Sequence, residues 1–137
     1  MRPTEVLMHE HRIIEQVIAC LEEITNRCEA GQALDTTSAS LAIDFFRVFA
    51  DGCHHGKEED LLFPALEGMG FSREQGPTGV MLREHDAGRY HVHGMSKAIQ
   101  GVGAGDILAQ EEFIEHARNF AALLRQHILK EDQCLFP

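Results

Sequence analysis

The chain has 137 residues, 44% of them hydrophobic, which predicts one domain over 1–137 with enough apolar material for a core. Its formal net charge is −10, with no clustered Lys/Arg run, and that charge distribution argues against nucleic acid or an anionic membrane as a partner. No apolar stretch approaches the roughly 20 residues of a membrane span, and the N-terminus lacks a signal-type apolar run, so a cytoplasmic protein is expected. The four cysteines, Cys20, Cys28, Cys53 and Cys134, form no C-x-x-C pair and read as free thiols, with Cys53 and Cys134 expected to be small buried hydrophobes.

Taken in order, the first predicted helix runs from about Thr4 to Glu29. Leu7, His11, Ile14, Ile18, Leu21, Thr25 and Cys28 recur in steps of three and four, the spacing of a bundle seam. Thr4 suits its start and Gly31 its end, and His9 falls off the seam. Asp35, Thr36 or Thr37 then caps a second helix to about Glu67. Its inner face is predicted as Ile43, Phe46, Ala50, His54, Glu58, Leu61 or Leu62, and Ala65. Gly52 and Gly56 weaken that helix by about 1 kcal/mol each relative to Ala, so packing must compensate or a bulky neighbour must need the room. Pro64 predicts a kink.

The irregular stretch from Gly68 leads to Pro77, which suits the first turn of a third helix presenting Met81, His85, Gly88 or Arg89, Val92, Met95 and Ile99. The glycines from Gly101 to Gly105 end it. Asp106 caps a fourth helix whose seam is Phe113, Ala117, Phe120, Leu124, His127, Glu131 and Cys134. No segment alternates with period two. The expected fold is therefore all-α, an antiparallel up-down-up-down four-helix bundle.

An internal repeat carries the functional signal. His54-x-x-x-Glu58 followed by Leu62-Phe63-Pro64 returns as His127-x-x-x-Glu131 followed by Leu135-Phe136-Pro137. Glu10-His11 precedes the first copy by nearly the distance at which Glu84-His85 precedes the second. A His or Glu on an apolar seam is costly unless paired or coordinated. Here each of four helices places a His there, and two add a Glu one turn on, facing the same way. In an antiparallel bundle His11, His54, His85 and His127 all fall at one end. Four imidazoles and two carboxylates suit iron, with manganese or zinc as lesser options.

These motifs resemble the hemerythrin-like family, also described as the HHE cation-binding domain, over nearly the whole chain. The resemblance implies a non-haem di-iron centre with an oxo or hydroxo bridge. His11, His54, His85 and His127 would be its terminal ligands, and Glu58 and Glu131 its bridges. It further implies reaction with, or sensing of, O2, H2O2 or NO, in oxidative or nitrosative stress or iron homeostasis. The alternatives are reversible O2 or NO binding, iron storage without turnover, and a purely structural bundle. Whether the protein is an enzyme is left open, and a homodimer is allowed. One departure and one ambiguity stand out. Oxygen-carrying members have a second His on the third helix where this chain has Arg89. They also have an Asp at the place of Asp132, whereas the internal repeat here selects Glu131.

The neighbours are ambiguous. His55 and Glu59 form a second His-x-x-x-Glu pair, displaced by one residue, and the other copy has Ile128 and Asp132 at those places. The repeat therefore ranks His54 and Glu58 first and leaves open whether His55 is idle or an extra ligand at the rim. Glu15 and His116 read as surface groups. His91 and His93 lie too far along the third helix to share the metal of His85. Tyr90 reads as a packing residue, with a place near the metal as the other option.

Overall fold

The computed structural model describes residues 3–70 and 77–135. Among these there are helices and no strands. They are α1 (Pro3–Glu29), α2 (Thr36–Phe45), the π-helical stretches π1 (Phe46–His55) and π2 (Glu58–Leu62), α3 (Phe63–Gly68), α4 (Pro77–Gly103), α5 (Ala109–Lys130) and a π-helical end, π3 (Glu131–Leu135). The run from α2 to α3 is helical throughout, so the chain forms four long helical rods.

The rod ends follow local chemistry. Gly31, at φ +100°, closes α1: its N–H bonds to Cys28 O and that of Gln32 to Arg27 O, which satisfies two orphan carbonyls. Gly105 closes α4 the same way, with its N–H on Val102 O and that of Asp106 on Gly101 O. Asp35 is the N-cap of α2, its carboxylate accepting from the Ser38 N–H at 3.0 Å. Asp106 acts one turn ahead of α5, accepting from the Leu108 N–H. Thr4 lies inside α1, which begins at Pro3, rather than capping it. Most of the expected irregular connection, 71–76, lies outside the described residues.

Contacts between rods run in opposite senses. Along α1 and α5, Arg12 meets Asp132, Glu22 meets Arg125 and Cys28 meets Gln110. Along α4 and α5, His85 meets His127, His91 meets His116, and Gly101 lies against Ala109. Asp51 and Glu59 in the second rod meet Arg89 and His85 respectively in α4. The result is an antiparallel bundle.

The predicted seams of the first and fourth rods are buried as expected, from Leu7 to Cys28 and from Phe113 to Glu131, while the Cys134 side chain lies outside the described residues. Ile14, Ile18, Leu21, Phe46, Met95 and Phe113 fill the centre, each contributing about 1.5–3 kcal/mol relative to exposure.

The second rod departs from its predicted face. Beyond Glu58 the buried residue is Phe63, whereas Leu61 is 71% exposed and Ala65 is exposed too. The cause is the π-helical backbone. A step of five residues, from Glu58 to Phe63, replaces the expected three or four, because each π turn bonds i to i+5. Pro64 sits in the first turn of α3, directly after the π stretch ends. No bulky neighbour crowds the two glycines: a Cβ at Gly52 or Gly56 would meet only backbone oxygens, at 3.5 and 3.8 Å. Cys53 is exposed, against the expectation of a small buried hydrophobe, and Tyr90 is exposed too, its ring edge-on to those of His91 and His116.

Candidate metal centre

The bundle brings the six predicted residues to one end and buries all of them. α1 contributes His11, π1 His54, π2 Glu58, α4 His85, α5 His127 and π3 Glu131. Both glutamates open a π stretch, although His54 lies in π-helical π1 and His127 in α-helical α5.

Their donor atoms converge. His11 Nε2 is 2.9 Å from Glu131 Oε1, and His85 Nε2 is 3.2 Å from Glu58 Oε1. His127 Nε2 is 3.2 Å from Glu131 Oε2, and His54 Nε2 is 3.7 Å from Glu58 Oε1. Nitrogens His85 Nε2 and His127 Nε2 face each other at 3.1 Å. Two groups of donors able to hold a cation result: His11, His54, Glu58 and Glu131, and alongside them His55, Glu58, His85 and His127. Glu58 belongs to both.

Each imidazole turns its other nitrogen to a carboxylate. His11 Nδ1 is 2.7 Å from Asp132, His54 Nδ1 3.0 Å from Glu10, His85 Nδ1 2.8 Å from Glu59, and His127 Nδ1 3.9 Å from Glu84. Cations stand behind those carboxylates: Arg12 on Asp132, Lys57 on Glu10, Arg89 on Glu59 and Lys130 on Glu84. At His11, His54 and His85 an Nδ1 proton held this way fixes the tautomer and leaves Nε2 as a lone-pair donor toward the centre, whereas His127 Nδ1 is buried without a hydrogen bond. The pattern has two-fold symmetry, with Glu10, Lys57 and Asp132 matched by Glu84, Lys130 and Glu59. Sequence reasoning saw Glu10-His11 and Glu84-His85 as echoes but assigned the glutamates no task. The repeat of Lys57 in Lys130 was the signal available.

Electrostatically the centre is unfinished by protein atoms alone. Both oxygens of Glu58, Glu131 Oε2 and His54 Nε2 are buried without a hydrogen-bond partner. Burial, with Glu131 beside it, raises the Glu58 pKa well above the carboxylate range. Burial also opposes charge on Glu131, but Glu58, His11, His127 and His54 outweigh it and lower its pKa. Burial, helped by His55 and His127, pushes His85 down to about 2. His11 goes the other way: Glu131 and Asp132 overcome its burial and raise it. Orphaned oxygens and imidazole nitrogens in one dry cluster fit a divalent or trivalent cation.

Comparison with known proteins agrees with that donor set. The family description "Hemerythrin HHE cation binding domain" matches residues 2–137. The chain belongs to the hemerythrin HHE family. Uncharacterised proteins of Mycobacterium bovis and Mycobacterium tuberculosis are similar to it, each 24% identical over 133 residues, covering 97% of this chain and 51% of the relative. The chain thus spans about half the length of the curated relatives it matches. No solved structure matches it.

Within this hemerythrin HHE fold, two carboxylates compete for a place in the cluster. Glu131 is fully buried and faces the imidazoles, whereas Asp132 sits outside them on His11 Nδ1. Arg89 likewise stands outside, donating to Asp51, Glu59 and Asp86. A cleft of about 310 Å³ reaches the cluster from the side of His55, His85 and His127, between Phe46, Val92 and Phe120. Of the ambiguous neighbours, Glu15 pairs with Arg12 at the surface, and His9 and His93 are exposed. His91 and His116 bond to each other at 3.0 Å, away from the cluster. His55, by contrast, is inside it: it is 7% exposed and stacks on His85 with centroids 3.8 Å apart.

Proposed function

We propose that His11, His54, Glu58, His85, His127 and Glu131 hold two iron ions, with both glutamates bridging, and that the protein reacts with or senses O2, H2O2 or NO. The observation carrying this reading is a pair of buried donor groups that share Glu58 and leave its oxygens without a hydrogen bond. Imidazole and carboxylate in this ratio favour iron, and manganese or zinc suit the set less well. When bound, a pair of irons supplies the redox and small-ligand chemistry that side chains lack.

The chain's own residues prepare that site. Glu10, Glu59 and Asp132 keep the imidazoles of His54, His85 and His11 oriented, with Nε2 inward. The apolar wall of Phe46, Val92 and Phe120 lines the approach from solvent and favours small weakly polar ligands over bulk water. Burial of Glu58 and Glu131 removes competing water from both carboxylates. The whole unit, 1–137, is read as one hemerythrin-like domain.

Purified protein should contain about two irons per chain and absorb in the near-ultraviolet as a bridged ferric pair. Retention of full iron by the His54→Ala, His127→Ala double variant would reject the ligand assignment. Continuous O2 evolution on adding peroxide would indicate turnover. A spectral change with O2 or NO and no turnover would instead indicate reversible binding or sensing.

A further inference from the structure

We infer that His91 and His116 form a second cation site, on the outside of the bundle between α4 and α5, which takes one late first-row divalent ion such as Cu(II) and shares no ligand with the buried centre.

Three observations carry it. The two imidazoles face each other across the helix pair, with Nδ1 of His91 3.0 Å from Nδ1 of His116 and ring centroids 5.3 Å apart. Two nitrogens bound to one first-row ion at about 2.0–2.1 Å and at right angles lie about 2.9 Å apart, so the pair already has the spacing of neighbouring corners of a tetragonal ion. Next, α4 makes room for one of the rings. A Cβ at Gly94 would lie 2.5 Å from Nε2 of His116 and 2.6 Å from each adjoining carbon. The Nε2 end of His116 therefore rests on α4 where a side chain would otherwise stand, and that seat turns Nδ1 toward His91. Lastly, the surroundings leave both rings available. Among the described residues no carboxylate bonds to either, in contrast to His11, His54 and His85 in the buried cluster. Both are half-buried, so water can complete the coordination of an ion. Burial, with His116 beside it, lowers the pKa of His91 against the pull of Glu115, which keeps that ring neutral with a lone pair to give.

A hydrogen bond between the rings accounts for less. It needs one Nδ1 protonated and the other bare, and between half-exposed neutral groups it adds little. Yet α4 carries a glycine in its interior to admit the ring, and glycine weakens a helix relative to alanine. Tyr90 stands edge-on to both imidazoles, with centroids 5.1 and 5.5 Å away, and walls the pair. His91 is six residues beyond His85, about 9 Å along α4, which separates this site from the buried one.

The test uses Cu(II) as the probe. The protein is first loaded with iron at its buried centre, and its accessible thiols, Cys20 and Cys53 among them, are alkylated. Wild type should take up one Cu(II) without losing iron, and the electron paramagnetic resonance spectrum should show two imidazole nitrogens on the copper. His91→Gln and His116→Gln should each weaken Cu(II) binding by roughly 10-fold or more in a competition titration, because the second imidazole of a chelating pair binds intramolecularly. His93→Gln, at an exposed imidazole of the same helix, should leave it unchanged. Gly94→Ala keeps both imidazoles and favours the helix, but it pushes the His116 ring aside, so it should lose affinity to a similar extent. This last variant separates a chelating pair from loose surface histidines, and its fold is the least at risk. Cu(II) held as tightly by the His91 and His116 variants as by wild type would overturn the site. So would fewer than two imidazole nitrogens on the bound ion, or copper that enters only by displacing iron. The comparison among variants holds whether or not the buried centre is filled.

Discussion

A histidine in a protein interior is governed by what faces each of its two nitrogens. His54 makes the point. Glu10 accepts at Nδ1, at 3.0 Å, Lys57 holds Glu10 from behind at 2.7 Å, and Nε2 is left without a partner. Removing such an orienting carboxylate leaves the ring free to turn and lowers its basicity. Glu10→Gln and Asp132→Asn are each expected to weaken metal binding by roughly 10- to 100-fold, read by competition with a chromophoric chelator. Glu22→Gln is the control: its carboxylate pairs with Arg125 on the outside of the bundle, so metal affinity should not change and stability should change by less than about 1 kcal/mol. Equal affinities for all three variants would reject the orienting role. The residue types of the cluster were legible because the repeat displayed them twice. The orienting partners were not, since Asp132 reaches His11 from the far end of the chain and sequence spacing carries no information on that pairing. Cys53 was misplaced for a related reason: proximity in sequence to buried groups says nothing about which way a side chain turns.

At the scale of elements, ends were easier to read than interiors. Gly31, Asp35 and Gly105 signalled boundaries through chemistry that acts within a few residues. The interior of the second rod was read with a constant period of 3.6, and that period holds only as far as the backbone is α-helical. π1 and π2 shift the inner face, bring in His55 and Phe63, and turn Leu61 and Ala65 outward. No residue type marks a π turn as Gly or Asp marks a cap, so this shift was not visible beforehand. The α4–α5 corner gives a test at this scale. A Cβ on Gly101 would lie 2.9 Å from that of Ala109, which is itself buried, so the two helices must spread to admit it. Gly101→Ala is expected to destabilise by about 1–3 kcal/mol in chemical denaturation, despite the higher helix propensity of Ala. The candidate metal centre lies at the other end of both helices, so metal stoichiometry should be unchanged. A variant as stable as wild type would show that the corner relaxes freely.

For the whole molecule, the centre couples stability to metal and to pH. Without a cation, Glu58 is a buried carboxyl whose pKa is raised, so the folded chain holds a proton there that the unfolded chain releases. That contribution is fully present below the unfolded value of 4.5 and is lost as pH rises through the folded pKa. His55 and His85, depressed to about 4 and about 2, act oppositely. The unfolded chain binds protons at these two residues below 6.5 that the folded chain refuses, so their effect lowers stability as pH falls from 6.5. The raised His11 partly offsets them there. A cation must displace the protons of Glu58 and His11 before those atoms can bind it, so metal uptake should release protons, and affinity should rise with pH. Ion bound only to the folded state stabilises it by about 2.7 kcal/mol at 100 times Kd, which for a chain of this size is a rise in Tm of roughly 10 °C. The expected result is a metal-dependent increment in Tm that is larger at pH 8 than at pH 6, with proton release seen by an indicator dye in weak buffer. Chelated and loaded protein melting at the same temperature at both pH values would mean that the bundle stands without its metal and that occupancy is incidental to the fold.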